Sequence, residues 1–246
     1  MIKILSIGNS FSQDSTRYLH QIAKADGEHI KVVNLFIGGC SLYRHYRNML
    51  GDAKAYSYEF NGAGVGLNVT MKEALLSDEW DYITLQQVSQ DSVNFKTYQP
   101  YLDELAAYVR RYAPKAKLLI HQVWGYLNGS GRIAQLGYEN YNAMFADTKA
   151  AYFKAYEAVN ADGLLPSGEA IKIAFDMGVE RLHRDDIHMT LGLGRYLLGL
   201  VWYQILTGKS VDNNTFSDFD QPISEEEVAI AKAAATKAVE MYKKYN

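Results

Sequence analysis

The sequence has a single cysteine, Cys40, and no long hydrophobic run. One cysteine excludes an internal disulfide, and it excludes a zinc site built from several thiolates of this chain. No stretch approaches the roughly 18 uninterrupted apolar residues that indicate a membrane-spanning helix. We therefore expect no membrane partner.

An excess of charge of one sign is also missing. The 25 basic and 28 acidic residues give a formal net charge of −3, without a sustained basic run. Because proteins that follow nucleic-acid phosphates need such a run, we expect no nucleic-acid partner. The start, Met1-Ile2-Lys3-Ile4, is typical of a strand and not of a signal peptide. The chain as written is expected to be cytoplasmic, or secreted or periplasmic if a signal peptide was removed.

No linker-like segment divides the chain. The 246 residues contain no Pro-, Gly- or Ser-rich stretch, and the composition of 48% hydrophobic and 22% charged residues is that of a globular protein with a sizeable core. We predict a single domain over residues 1–246, and the oligomeric state is left open.

Short apolar runs alternate with amphipathic segments along the chain. The predicted strands are residues 3–7, 30–37, 82–86, 117–122 and 163–165. The predicted helices are 14–25, 68–76, 97–112, 133–159, a segment from Thr190 to Gly208, and a last helix with a Ser224–Glu227 capping box. Strands separated by helices form βαβ units, so we predict a three-layer α/β/α sandwich with a flavodoxin-like parallel sheet of about five strands.

A serine occurs at the first predicted strand-to-helix junction. Ser10 follows Gly8 and Asn9 directly after the first strand. At such a junction the hydroxyl is exposed and the backbone N–H is unpaired, near the positive end of the helix dipole. Gly8 permits a tight turn and a close approach of substrate to the backbone. The position suits a nucleophile, although a serine here can also act only as a helix N-cap.

Polar residues and glycines also follow the other predicted strands. Ligands of parallel α/β sheets bind beyond these carboxyl ends of the strands. The residues are Gly38, Gly39, Gln86, Gln87, His121 and Trp124.

An Asp-x-x-His pair precedes the helix that begins near Thr190. A serine hydroxyl needs an imidazole to take its proton and a carboxylate to orient that imidazole. His188 and Asp185 can fill these roles for Ser10. Asp186 could replace Asp185, and His183 is close enough to compete as the base.

The ordered blocks of this chain resemble those of the SGNH hydrolases, the GDSL esterase and lipase superfamily. The first block has asparagine where the family has the aspartate of Gly-Asp-Ser. The blocks are Gly8-Asn9-Ser10, Asn34-Leu35-Phe36-Ile37-Gly38-Gly39-Cys40-Ser41 and Asp185-Asp186-Ile187-His188.

The resemblance implies a role for each block. Ser10 would be the nucleophile, His188 the base and Asp185 its orienting carboxylate. The backbone N–H groups of Ser10 and Gly39 would line the oxyanion hole. No metal or organic cofactor is implied.

The third block departs from the family pattern. This chain has Gln86-Gln87-Val88-Ser89 where the family has Gly-x-Asn-Asp. Because glutamine presents the same NH₂ donor as asparagine, Gln86 or Gln87 is expected to supply the remaining oxyanion donor. Together with the later His121-Gln122-x-Trp124, this block indicates a divergent branch.

Three further residues are expected to contact substrate. They are Asn9, His121 and Trp124. Packing of His121 against Trp124 for structural reasons is an equal alternative, and Asn9 could instead order its own loop.

The expected reaction is hydrolysis of a carboxylic ester through an acyl-serine intermediate. A short acyl ester, such as acetyl, on a carbohydrate is the expected substrate, because Trp124 and the 19 tyrosines could stack on sugar faces and no long apolar lid is present. Lipid esters, thioesters and peptidoglycan acetyl groups are alternatives.

Functions without catalysis also fit a strand-end cleft. A flavodoxin-like module could bind a phosphate or flavin at helix N-termini, and a degenerate hydrolase could bind carbohydrate. The glycine-rich run 62–66 lacks G-x-G-x-x-G spacing and a preceding strand, so we predict a flexible loop there.

Overall fold

A seven-stranded mixed sheet lies at the centre of the computed structural model, which describes residues 1–246. The strands are β1 (Ile2–Gly8), β2 (Ile30–Phe36), β3 (Tyr56–Phe60), β4 (Ala63–Val69), β5 (Tyr82–Leu85), β6 (Lys117–His121) and β7 (Gly163–Leu165). Their order is β4-β3-β2-β1-β5-β6-β7, and β2, β1, β5, β6 and β7 run parallel. These five have the flavodoxin-like strand order, so all five predicted strands are confirmed.

Ten α-helices connect and cover the strands. They are α1 (Ser10–Thr16), α2 (Leu19–Ala25), α3 (Leu42–Leu50), α4 (Met71–Leu76), α5 (Tyr101–Tyr112), α6 (Gly131–Gln135), α7 (Tyr141–Ala158), α8 (Ser167–Asp176), α9 (Leu193–Thr207) and α10 (Glu225–Tyr242). The predicted α/β/α sandwich is confirmed. None of the helices combines the length and apolar character needed to cross a bilayer.

An antiparallel hairpin adds two strands that the sequence analysis did not predict. β3 pairs with β2 and β4 pairs with β3 at the edge of the sheet. The prediction of a flexible loop at 62–66 is therefore wrong, because this run forms the turn and the first half of β4. Asn61 and Gly62 take positive φ angles of 50° and 85°, as a tight hairpin turn requires.

Several predicted helices have different bounds. The predicted helix 133–159 is two helices, α6 and α7, and the predicted helix 14–25 is α1 and α2. The predicted helix 97–112 begins only at Tyr101, and 68–76 is the end of β4 followed by α4, with Thr70 as the N-cap. Helices α3 and α8 were not predicted.

The two C-terminal helices follow the sequence signals closely. α9 begins at Leu193, later than the predicted N-cap Thr190, whose hydroxyl accepts a hydrogen bond from the Gly194 N–H. It ends at Gly208, which has a left-handed conformation. The capping box of Ser224 and Glu227 at the start of α10 is confirmed.

One hydrophobic cluster of 69 buried residues fills the space between the sheet and the helices. Helix α9 packs against α1, α2, α8 and α10, and nearly all of its residues are buried. Because α9 starts soon after His188, the interior fixes the chain just beyond that residue. The same holds for Ser10, which follows the buried strand β1.

Candidate active site

Ser10 is the first residue of α1, directly beyond the carboxyl end of β1. The side chain of Asn9 caps this helix by accepting a hydrogen bond from the Phe11 N–H at 3.0 Å. Asn9, and not Ser10, is therefore the N-cap. The Ser10 hydroxyl is left partly exposed and free for a different contact.

That contact is with His188, and it continues to Asp185. The distance from Ser10 Oγ to His188 Nε2 is 2.8 Å, and the distance from His188 Nδ1 to Asp185 Oδ2 is also 2.8 Å. Because the ionised carboxylate can only accept, Nδ1 carries the proton and Nε2 accepts from the serine hydroxyl. The three predicted side chains thus form one line of hydrogen bonds.

The carboxylate of Asp185 is held as an anion by its own loop. Its Oδ1 accepts the backbone N–H groups of Ile187 and His188, each at 2.8 Å. Burial opposes ionisation, but these two N–H groups and the His188 ring outweigh it and lower the pKa of Asp185 to about 2. The carboxylate is therefore charged at neutral pH.

The two alternatives left open by the sequence lie elsewhere. Asp186 faces Arg132 at 3.9 Å and does not contact His188. His183 is fully buried, its Nε2 lies 3.0 Å from the Gly125 carbonyl, and burial lowers its pKa to about 4. Neither residue contacts Ser10.

The backbone N–H groups of Ser10 and Gly39 have no acceptor within the chain. Gly39 is an exposed residue with a φ of 59° in the turn after β2. That turn is closed by the Cys40 N–H, which donates to Ile37 O at 3.2 Å. Asn9 Nδ2 donates to Cys40 O at 3.0 Å and so ties the turn to the nucleophile.

Gln87 does not face this site, and its prediction as an oxyanion donor is wrong. Its Nε2 donates to Thr97 O at 3.1 Å, and its Oε1 accepts the N–H groups of Leu42 and Val88 at 2.9 Å. The side chain is 1% exposed. Its amide is therefore used to hold three loop segments together.

Gln86 is also buried, directly behind the nucleophile turn. Its Nε2 donates to Asn9 Oδ1 at 2.8 Å, and its Oε1 lies 2.7 Å from His121 Nδ1. Because the amide faces Asn9 and the side chain is only 2% exposed, Gln86 supports the turn instead of facing a substrate. This corrects its predicted role as a direct oxyanion donor.

The three residues predicted to contact substrate are buried, which corrects that prediction. Asn9 is 2% exposed, and His121 and Trp124 have no exposed surface. The structural alternative for His121 and the loop-ordering alternative for Asn9 fit the structure. The Trp124 ring stacks on Phe11 at 4.2 Å, and its Nε1 donates to Ile187 O at 2.8 Å, so it holds the loop of His188.

A buried aspartate that the sequence analysis did not single out also holds this loop. Asp14 of α1 has no exposed surface and accepts Arg184 Nη1 at 2.9 Å and Arg195 Nε at 2.8 Å. It also accepts the Met189 N–H, one residue after His188, at 3.1 Å. The available signal was an acidic residue among the buried positions of α1.

Two pockets that share Arg132 open on the surface. The first, of about 290 Å³, contains His188 and is lined by Arg132, Asp185, Asp186, Ile187 and His188. The second, of about 490 Å³, is lined by Gln90, Tyr126, Arg132, Gln135 and Leu136. No group of three or more His, Cys, Asp or Glu side chains is arranged to hold a metal ion.

Solved structures with the SGNH or GDSL description share this α/β/α sandwich. A proposed SGNH hydrolase from Slackia heliotrinireducens shares this fold at 20% identity, with 82% of this chain and 97% of that chain covered and a TM-score of 0.59. A proposed GDSL-like lipase from Parabacteroides merdae shares it at 16% identity, with 84% and 95% covered and a TM-score of 0.56.

The chain belongs to the DUF4886 family, described as a domain of unknown function, whose model matches residues 3–238. A crystal structure of a DUF4886 family protein from Bacteroides uniformis is 34% identical, with 98% of this chain and 95% of that chain covered and a TM-score of 0.91. None of the curated proteins matches the chain.

Proposed function

We propose that this protein is a serine esterase that hydrolyses a carboxylic ester through an acyl-serine intermediate. The observation that carries the proposal is the line of hydrogen bonds from Ser10 Oγ through the His188 ring to Asp185, with 2.8 Å at each step. This geometry activates a hydroxyl that is otherwise a weak nucleophile.

The proposed reaction has two halves, acylation of Ser10 and hydrolysis of the acyl-serine, and each group acts once in each half. Ser10 Oγ attacks the ester carbonyl carbon while His188 Nε2 takes the hydroxyl proton, and the negative oxygen of the tetrahedral intermediate accepts the Ser10 and Gly39 N–H groups. His188 then gives the proton to the leaving alcohol oxygen as the carbon–oxygen bond breaks. A water molecule attacks the acyl-serine by the same route and releases the acid. Asp185 keeps the proton of the imidazole on Nδ1 throughout.

The proposed substrate is a short acyl ester, such as acetyl, on a carbohydrate. The pocket that contains His188 and its neighbour across Arg132 support this choice, because Asp186 lines the first, Gln90 and Gln135 line the second, and each has only one large aliphatic side chain. Such a surface suits a hydroxylated alcohol better than a lipid chain. The stacking argument from Trp124 does not support it, since that ring is buried.

A fluorophosphonate probe tests the nucleophile directly. We expect wild-type protein to be labelled and Ser10→Ala to be unlabelled, with ester hydrolysis reduced on the order of 10⁶-fold. Ser210→Ala is the control, because Ser210 is exposed and bonded only to nearby Asp212. An unlabelled wild-type protein, or equal labelling of Ser10→Ala, would contradict the proposal and favour a binding module.

Substrate class is tested with esters of increasing acyl length beside acetylated sugars. We expect kcat/KM to be highest for acetyl esters and to rise further when the alcohol is a sugar. A preference for long acyl chains would contradict the carbohydrate ester and leave the serine esterase standing.

A further inference from the structure

Five consecutive hydrogen bonds run through the interior from α9 to the turn that carries Gly39. Every side chain in this series is at most 2% exposed. The steps are Trp202 Nε1 to Ser167 Oγ (3.2 Å), Ser167 Oγ to His121 Nε2 (3.1 Å), His121 Nδ1 to Gln86 Oε1 (2.7 Å), Gln86 Nε2 to Asn9 Oδ1 (2.8 Å) and Asn9 Nδ2 to Cys40 O (3.0 Å). We call this series the positioning chain.

The two ends of the positioning chain fix its direction. The indole N–H of Trp202 can only donate, and the Cys40 carbonyl can only accept. Asn9 Oδ1 also accepts the Phe11 N–H, so the atom that faces Gln86 is an oxygen and Gln86 must donate to it. The oxygen of Gln86 is therefore turned to His121.

This direction determines the tautomer of His121. Its Nδ1 must carry a proton in order to donate to Gln86 Oε1. Burial lowers the pKa of His121 to about 3, so the ring is neutral and Nε2 is an acceptor. Ser15 Oγ lies 3.3 Å from Nε2 but donates to Phe11 O at 3.0 Å, which leaves Ser167 as the donor to the ring.

Asn9 connects the positioning chain to the backbone segments that carry the proposed oxyanion donors. Its oxygen holds the N–H of Phe11, which immediately follows Ser10, and its amide nitrogen holds the carbonyl of Cys40, which immediately follows Gly39. One side chain therefore connects the two backbone segments whose N–H groups would bind the oxyanion. Its rotamer is fixed by Gln86, and that of Gln86 by His121.

We propose that Asn9, Gln86 and His121 are positioning residues that set the spacing between the Ser10 and Gly39 N–H groups. The inference rests on the proposed esterase function. It also gives a reason for asparagine in the first block, because the Cys40 carbonyl needs a donor at 3.0 Å that a carboxylate cannot provide.

Asn9→Asp is the sharpest variant, since it changes one donor with almost no change in shape. We expect kcat to fall on the order of 10²-fold, as for the loss of one oxyanion donor, while KM stays within about threefold. The assay is run as a pH profile up to about pH 9, because burial raises the pKa of a carboxyl group and only its ionised form lacks the donor to Cys40 O. An unchanged kcat would overturn the proposal.

Asn214→Asp is the matched control. Asn214 is 4% exposed, its Nδ2 donates to Ile22 O at 2.9 Å, and its Oδ1 accepts the Phe216 N–H at 3.1 Å. Like Asn9, Asn214 donates to a backbone carbonyl and accepts the N–H of the residue two positions later, but Asn214 lies away from Ser10. We expect Asn214→Asp to lose thermal stability as Asn9→Asp does and to keep kcat, whereas equal losses of kcat would overturn the proposal.

Two variants of His121 separate positioning from packing. The amide nitrogen of His121→Asn can replace Nδ1 as the donor to Gln86, whereas the amide oxygen of His121→Gln can replace Nε2 as an acceptor and keeps only the bond from Ser167. We expect His121→Asn to retain kcat within about tenfold of wild type and His121→Gln to lose about as much as Asn9→Asp. Equal kcat in the two variants would overturn the role of His121.

Hydrogen exchange provides a readout that does not depend on catalysis. We expect the amide of Cys40 to exchange faster in Asn9→Asp than in wild type or Asn214→Asp, because the turn of residues 37–40 loses its anchor. An unchanged rate would overturn the positioning chain whatever the activity. If wild-type protein hydrolyses no ester, the esterase proposal fails, and faster exchange in Asn9→Asp still supports the anchoring.

Discussion

The two sides of the candidate active site are held by opposite kinds of side chain. On the nucleophile side, neutral groups fix the turns around Ser10, namely the amides of Asn9 and Gln86 and the ring of His121. On the base side, full charges fix the loop of residues 184–189, through Asp14 and its contacts with Arg184 and the Met189 N–H. Both sets are buried at their centres.

This difference between the two sides corresponds to the charge that would develop on each side in the proposed reaction. The oxyanion would form beside the Ser10 and Gly39 N–H groups, whose backbone segments Asn9 connects by donating to Cys40 O and accepting the Phe11 N–H. The imidazolium would form on His188, where the anion of Asp185 stabilises it. The nucleophile side therefore uses a side chain that is donor and acceptor at once, and the base side uses a fixed negative charge.

Asp185→Asn tests the charge on the base side and has the largest expected effect among the variants that compare the two sides. The amide keeps the shape of the side chain but favours the wrong imidazole tautomer, so we expect kcat to fall about 10⁴-fold. Steady-state kinetics on an activated acetyl ester measure this. A loss below about tenfold would show that His188 does not depend on this carboxylate.

The same variant has a pH signature in stability. The pKa of Asp185 lies at about 2 in the folded protein against an ordinary value of 3.8, so its ionised form stabilises the fold above about pH 4 and this contribution is lost as the pH falls through about 2. We expect the difference in unfolding free energy between wild type and Asp185→Asn to vanish over that range. A difference that grows on acidification has the wrong sign for this explanation.

Asp14→Asn removes the charge that anchors the base loop. Arg184 and Arg195 would lose their buried partner, and we expect the free energy of unfolding to fall by about 3 kcal/mol. Asp220→Asn is the control, because Asp220 also pairs with Arg195 but is about a quarter exposed, and its removal should cost about 1 kcal/mol or less. Chemical denaturation measures both, and equal losses would contradict the special role of Asp14.

Local sequence patterns were sufficient for the parallel part of the sheet, whereas the choice of Asp185 and His188 over Asp186 and His183 came from the resemblance of the ordered blocks. The five parallel strands are short apolar runs, and β1 is buried over most of its length. The hairpin was missed because β4 is exposed at all residues but the last and so lacks hydrophobic alternation. Asn61-Gly62 was the available signal, since this dipeptide favours a tight hairpin turn.

Side-chain direction could not be predicted from the sequence. Gln87 and Trp124 follow strands at the correct edge of the sheet, yet both point into the protein. The end of a strand brings the backbone of the following residues close to the site. The direction of each side chain is decided by its burial and its hydrogen-bond partner. These partners lie on distant segments, Thr97 for Gln87 and Ile187 for Trp124. The positioning chain was missed for the same reason.

Trp124→Phe tests a neutral contact that bridges the two sides. Trp124 stacks on Phe11 of the nucleophile helix and donates to Ile187 O of the base loop, and phenylalanine keeps the first contact and loses the second. We expect a loss of about 1 kcal/mol in stability and a few-fold loss in kcat.

Trp80→Phe is the matched control for this substitution. The Nε1 of Trp80 donates to Ala74 O at 3.1 Å, and the side chain is 3% exposed. Since Trp80 precedes β5, it lies at the amino ends of the parallel strands, opposite the carboxyl end that carries Ser10, and we expect a similar loss of stability and an unchanged kcat. If both variants lower kcat equally, the bond from Trp124 to Ile187 contributes only to the stability of the fold, and the charges around Asp14 suffice to hold the base loop.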